Sequence, residues 1–237
     1  MEDAAPVKRF YTQASVLAHA DGWQVQLDTR GVKTVGGLPQ IVPSAALADA
    51  LAAEWASQGE TIAPGSLILR DMADYALDCV LPDRAAAAAT LLRFAESDTL
   101  CYRADAEDPL AARQSELWEP LLRQAEARWD VQFERIAGII HRPQPAATLA
   151  RMHAVLAALG PFQLAALNTL ASLAASLVIG LAALDDGTDA ATLWDAANLE
   201  EDWQVELWGE DADAAALRAK RLALFTAAQA FARLARC

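Results

Sequence analysis

The sequence predicts an α+β protein, a small N-terminal antiparallel β unit packed on a larger, mainly helical C-terminal domain. Three observations lead there. Between residues 7 and 43, short apolar runs alternate with polar residues and are separated by turn signals. From Ala45 onward, apolar residues recur at four-residue spacing on long alanine-rich segments. Phe162 to Leu184 runs without a charge, as expected of a helix buried at the centre of a domain. The division falls near residues 65 to 75, giving a β-rich domain with one helix over 1–70 and a helical domain over 71–237.

In the β unit, Val16-Leu17-Ala18 leads to a turn at Asp21-Gly22. Trp23, Val25 and Leu27 then alternate with Gln24, Gln26 and Asp28, a half-buried strand. Thr29-Arg30-Gly31 turns the chain, and Gly36-Gly37 separates Val32–Val35 from Leu38–Val42 as a hairpin. Four strands make too small a sheet to stand alone, so it should pack on the helices C-terminal to it.

Ser44 is an N-cap for a helix from Ala45 to about Gln58, with Leu47, Leu51 and Trp55 on one face and Gly59 at its end. Ser66 is placed to cap a second helix through Leu69, Met72, Ala76 and Val80. Pro82 interrupts it, and an alanine-rich helix runs from Arg84 to Glu96. Asp108-Pro109 starts a helix through Gln114, Trp118 and Leu122 to Trp129, with Pro120 expected to kink it. Val131 to Ile140 reads as extended, and Ala146 to Leu159 as helix. The uncharged segment is long enough to span a bilayer. However, it carries Gln163, Asn168, Thr169, Ser172 and Ser176 and has no basic anchor nearby, so a buried helix fits better than membrane insertion. Its Asn168, Ser172, Ser176 and Gly180 form a small-residue stripe for close helix approach. Asp189 begins a helix through Trp194, and Asp211 to Arg236 closes the chain as another.

Charge singles out one stretch. Leu199 to Asp213 holds seven acids and two tryptophans in fifteen residues, with no Lys or Arg. Between Arg151 and Arg218 the only basic side chain is His153. Crowded carboxylates repel one another, so such a stretch is either a solvated acidic helix with tryptophans in the core or a surface shaped for a basic partner. Leu199, Trp203 and Leu207 form an apolar stripe that makes Trp203 core. Trp208 stands on the polar stripe of Glu200, Gln204 and Asp211, where an aromatic resembles a binding anchor. The expected partner-binding set is Glu200, Glu201, Gln204, Trp208, Glu210 and Asp211. Trp55, Trp118 and Trp203 are expected to be structural, the first two across the join of the β unit and the helical domain.

A net charge of −13 excludes a phosphate-backbone partner, so no nucleic acid is expected. Three widely spaced cysteines suggest no disulfide framework and a reducing compartment. The start Met-Glu-Asp-Ala-Ala-Pro lacks the pattern of a signal peptide. No phosphate-binding glycine loop, metal-ligand spacing or Gly-x-Ser-x-Gly elbow occurs, and no cofactor or metal is expected. Cys101 beside Asp98 is the one thiol arrangement that could be a nucleophile, with a small core residue as the alternative. Glu200 and Glu201 could be an acid/base pair or a partner-facing pair. The alternatives to a binding protein are thus a thiol- or carboxylate-dependent hydrolase using Cys101 or Glu200, and a generic acidic interaction domain.

Several motifs, in order, carry a family resemblance. They are Lys8-Arg9-Phe10-Tyr11, Leu27-Asp28-x-Arg30-x-Val32-Lys33-Thr34, Val42-Pro43-Ser44 with Leu47-Ala48, and Ala53-Glu54-Trp55-x-x-Gln58-Gly59-Glu60. Further on come Asp98-x-Leu100-Cys101-Tyr102-Arg103 and Gln114-x-x-x-Trp118-x-Pro120-Leu121. The last are Leu199-Glu200-Glu201-x-Trp203-Gln204 and Trp208-Gly209-Glu210-Asp211. Over about 200 residues this series resembles the assembly chaperones for the alpha subunit of the F-type ATP synthase head. Three positions depart from the family pattern. Thr29 stands for a glycine in an Asp-Gly-Arg turn, Glu119 for an aspartate, and Ala175 for a glycine before Ser176. The resemblance implies a monomer that is no enzyme, cytoplasmic or, in a eukaryote, in the mitochondrial matrix. It would hold the unassembled alpha subunit until the beta subunit takes that place.

Overall fold

The computed structural model describes residues 7–138 and 142–236. Strands β1 (Ala14–His19) and β2 (Gly22–Leu27) form an antiparallel hairpin that brings Val16 opposite Val25. The other edge of β2 is shared by β3 (Arg30–Gly31) and β4 (Ile41–Val42), which pair with its two ends. The Gly36-Gly37 hairpin loops out between them, closed by the Thr34 N–H donating to Leu38 O at 2.8 Å. The family's glycine in the preceding turn is not required at Thr29, because Asp28 takes the positive φ, 55°. Asp28 is held there by N–H bonds from Thr12 and Gln13 to its carboxylate.

Helix α1 (Ala45–Ala56) lies across this sheet, its Leu47, Leu51 and Trp55 meeting Val25, Leu27 and Val42 in a buried layer. Ser44 caps it, accepting from the Leu47 N–H at 3.1 Å, and donates to Leu234 O at the far end of the chain. Ser66 does not cap the second helix, α2 (Ile68–Tyr75). That role falls to Glu54 of α1, whose two carboxylate oxygens accept from the N–H groups of Leu69 and Arg70 at 2.7 and 3.0 Å. A negative charge at a helix start complements the dipole and satisfies donors that the helix cannot satisfy itself. A π-helical turn, Ala76–Val80, prolongs α2. Along this segment Asp74 and Asp78 accept from Val35, Thr34 and Gly36, which ties the outlying hairpin to the helical body.

Helices α3 (Arg84–Glu96), α4 (Pro109–Trp129) and α5 (Ala146–Ala157) come next, and α4 continues through Pro120. Two short strands, β5 (Tyr102–Arg103) and β6 (Ile136–Ala137), pair in parallel. The expected extended run reaches only part of its span here, and Ile139, Ile140, His141 and Cys237 lie outside the described residues. Glu119, the longer carboxylate at a family aspartate, reaches three arginines: Arg135 at 2.9 Å, Arg123 at 3.2 Å and Arg103 at 3.4 Å.

The uncharged segment is not one helix. It breaks into α6 (Pro161–Ala174) and α7 (Leu177–Ala183), with Ala175 at φ 48° and Ser176 capping α7. The left-handed conformation at 175 is one that glycine adopts without strain and alanine does not. The cause of the break is Asp98. Fully buried, it accepts from the Leu100 N–H at 3.1 Å and from the Val178 N–H at 2.9 Å, so α7 starts where that carboxylate holds it. The stripe Asn168, Ser172, Ser176, Gly180 is therefore no continuous helix face, but Gly180 keeps its role. A Cβ there would lie 2.9 Å from Leu167 Cδ1 and 3.2 Å from Ala171 Cβ, so α7 folds hard against α6. Helix α6 is the centre of the molecule, touching α2, α3, α7 and α10 (Ala212–Leu234). Among the described residues no helix is long and apolar enough to cross a membrane. Nearly all the buried apolar residues, from Tyr11 to Ala232, form one connected core.

Candidate functional site: an acidic, tryptophan-tipped ridge

After α8 (Ala190–Ala197), capped by Asp189, the acidic stretch folds as α9 (Leu199–Trp208). Gly209, at φ 90°, ends it, and Asp211 caps α10 by accepting from the Ala214 N–H at 2.8 Å. Helices α9 and the start of α10 enclose a groove of about 440 Å³. Glu201, Gln204, Trp208, Glu210 and Asp211 of the expected partner-binding set line it, while Glu200 does not.

Burial falls steadily along α9. Leu199 is buried, Trp203 half-buried and Leu207 56% exposed, so the expected apolar stripe enters the core at one end only. Trp203 is not core. Its ring lies under the Arg113 guanidinium at 5.2 Å, a cation–π contact at the surface. Trp208 is 77% exposed at the C-terminal tip of the helix. Leu217 of α10, 58% exposed, and Val205, 40% exposed, add apolar surface to the same groove. Sequence reasoning passed over both. Val205 falls outside both four-residue stripes, three residues before Trp208, and Leu217 belongs to a helix read only as closing the chain.

The stretch is less bare than its composition suggests. Glu200 accepts from the buried Gln114 Nε2 at 2.7 Å, and the same amide's oxygen accepts from the Ala104 N–H at 2.7 Å. Asp202 is bridged by both Nη atoms of Arg218, Glu206 meets Arg113 at 2.7 Å, and Glu201 lies 3.9 Å from Arg221. The Arg113–Glu206 and Arg221–Glu201 pairs are exposed and contribute little to stability. Together these contacts leave Glu210 and Asp213 as the carboxylates of the stretch without a partner among the described residues.

Neither catalytic arrangement assembles. Glu200 and Glu201 turn to different partners, Gln114 and Arg221. Cys101 has no exposed surface, and burial, reinforced by the nearby Asp98 carboxylate, pushes its thiol well above the usual range, the reverse of an activated nucleophile. Among the described residues no group of three His, Cys, Asp or Glu could hold a metal ion.

Trp118 is fully buried, but it does not sit at the join with the β unit. Its indole N–H donates to Ala196 O at 2.7 Å, fastening α4 to α8, and Arg103 lies over its ring at 5.3 Å. Trp55 belongs to the layer under the sheet, edge-on to Tyr11 with ring centres 5.9 Å apart. Tyr11 in turn donates to Trp55 O at 2.6 Å.

Two solved structures share the whole fold: Atp12 from Paracoccus denitrificans and the Atu1473 protein from Agrobacterium tumefaciens. The first is 36% identical with a TM-score of 0.91, covering 97% of this chain and 99% of its own. The second is 35% identical with a TM-score of 0.92, covering 97% and 86%. The mitochondrial protein atp12 of Schizosaccharomyces pombe is 26% identical over 219 residues, 87% of this chain and 75% of that protein. The class is that of chaperones, not enzymes. Residues 8–126 match the model of the ATP12 chaperone protein family, and the chain belongs to that family. It is the family of ATP synthase assembly chaperones that the sequence motifs resemble.

Proposed function

We propose that the protein holds the unassembled alpha subunit of the F-type ATP synthase head and shields its assembly face until the beta subunit takes that place. It does so as a monomer, in the cytoplasm or, in a eukaryote, in the mitochondrial matrix. The surface that binds is the ridge of α9 and the start of α10. The observation that carries the reading is Trp208, a large aromatic left 77% exposed beside an apolar groove and next to the unpaired Glu210. A rigid aromatic with a polar rim is the composition of an interface anchor. An assembly face that later packs against another subunit is itself apolar, and a basic border on it would match the acidic rim.

Binding of purified alpha subunit to the parent, to Glu210→Lys and to Trp208→Ala, at low and high salt, tests the proposal. Glu210→Lys replaces attraction by repulsion, so it should weaken binding most at low salt, where screening is least. Trp208→Ala should weaken binding at both salt concentrations, because its contribution is apolar area. Both variants should melt like the parent. Normal client binding by both variants would place the functional face elsewhere.

A further inference from the structure

The β unit carries a second concavity, with which the ridge shares no residue. It has a volume of about 240 Å³ and is lined by Phe10, Leu27, Arg30, Lys33, Trp55 and Arg70, among others. Leu27 and Trp55 are buried and form its apolar wall. The Arg70 guanidinium is occupied, by Asp71 at 2.9 Å and Asp74 at 3.1 Å. Arg30 and Lys33 are exposed and make no ion pair among the described residues. Phe10, 61% exposed, forms an apolar lip. Local charge agrees. Over residues 7–43, Lys8, Arg9, Arg30 and Lys33 outnumber Asp21 and Asp28, in a chain whose net charge is −13.

We propose that this cavity is a binding site for the carboxylate of an acidic residue flanked by apolar residues on a bound polypeptide. The two unpaired cations, Arg30 and Lys33, select a group with negative charge. The volume lies below the range of drug-sized ligand pockets and suits one side chain. The Phe10 lip and the Leu27 floor favour a polypeptide as the source of the carboxylate, since a small hydrophilic acid would leave them uncovered. The protein thus presents two surfaces of opposite sign, and this one stands independently of the ridge.

The test is titration of the full chain into a fluorophore-labelled, capped peptide with one glutamate between leucines, read by anisotropy. The glutamate peptide should bind, and the same peptide with glutamine should bind at least about tenfold more weakly, as expected for loss of a charge-assisted pair. Arg30→Glu combined with Lys33→Glu, both on exposed side chains, should abolish most of the binding without moving the melting temperature. Trp208→Ala should bind the peptide like the parent. Absence of binding, equal affinity for the glutamate and glutamine peptides, or undiminished binding by the Arg30/Lys33 variant would overturn the site. N-acetylglutamate displacing the peptide at the peptide's own concentration would overturn the polypeptide as its occupant.

Discussion

Asp98 lends itself to a quantitative test because two opposing effects meet on one side chain. Burial penalises its charge, while N–H groups of Leu100 and Val178 and the Ser176 hydroxyl favour it. Burial wins, and the carboxyl is pushed up to about 6. In the unfolded chain an aspartate titrates near pH ~3.9. A raised folded value means that the native state holds the proton between those limits. The stabilising contribution is then fully present below pH ~4 and is lost as pH rises through about 6. Two units at about 1.4 kcal/mol each give roughly 3 kcal/mol of stability lost on going from pH 4 to pH 7. Other carboxylates titrate over the same range, so the quantity to measure is the difference between the parent and Asp98→Asn. The amide cannot titrate. It also turns an NH₂ toward one of two N–H donors, which should cost about 1–3 kcal/mol for the group left unpaired. Urea unfolding of both proteins, at half-unit steps from pH 4 to pH 7.5, should show the parent's advantage shrinking by about 3 kcal/mol as pH rises. An advantage that grows with pH would mean that the N–H donors outweigh burial and hold the carboxylate ionised, refuting the reading that burial dominates at Asp98.

Four other side chains carry expectations for stability. Ala175→Gly should raise it by about 0.5–1 kcal/mol, since alanine at φ 48° carries the left-handed penalty that glycine avoids, less glycine's greater loss of chain entropy; an unchanged or lower denaturation midpoint would count against it. Trp118→Ala should cost about 3–5 kcal/mol by chemical denaturation, because it removes a fully buried indole and leaves Ala196 O without its donor. Trp203→Ala should cost less than Trp118→Ala, about 1–2 kcal/mol, because its ring is only partly buried; a loss equal to that of Trp118 would return Trp203 to the core. Glu54→Ala should lower the melting temperature by a few degrees, the effect of removing about 1–2 kcal/mol of capping from α2.

Local order was legible in the sequence because it arises from neighbours. Alternation in Trp23–Leu27, the Ser44 and Asp189 caps, the Asp108-Pro109 start and the Gly209 stop are all interactions within a few residues, which a window of sequence contains. The acidic, tryptophan-bearing stretch was visible for the same reason, and so was the place of Trp208 on its polar side. What the stretch contacts was not visible. Its charge looked uncompensated because no Lys or Arg lies between Arg151 and Arg218, yet Arg113 comes from α4 and Arg218 and Arg221 come from α10. The depth of Trp203 depends on how α9 leaves the body, and four-residue spacing records a face of a helix without saying how far that face is covered. The same holds for the broken central helix and for the start of α2. One is decided by a carboxylate at position 98 reaching residue 178, the other by Glu54 reaching residues 69 and 70. Side-chain spacing along a chain is a local property, whereas burial and pairing are set by whichever distant segment the folded chain brings alongside.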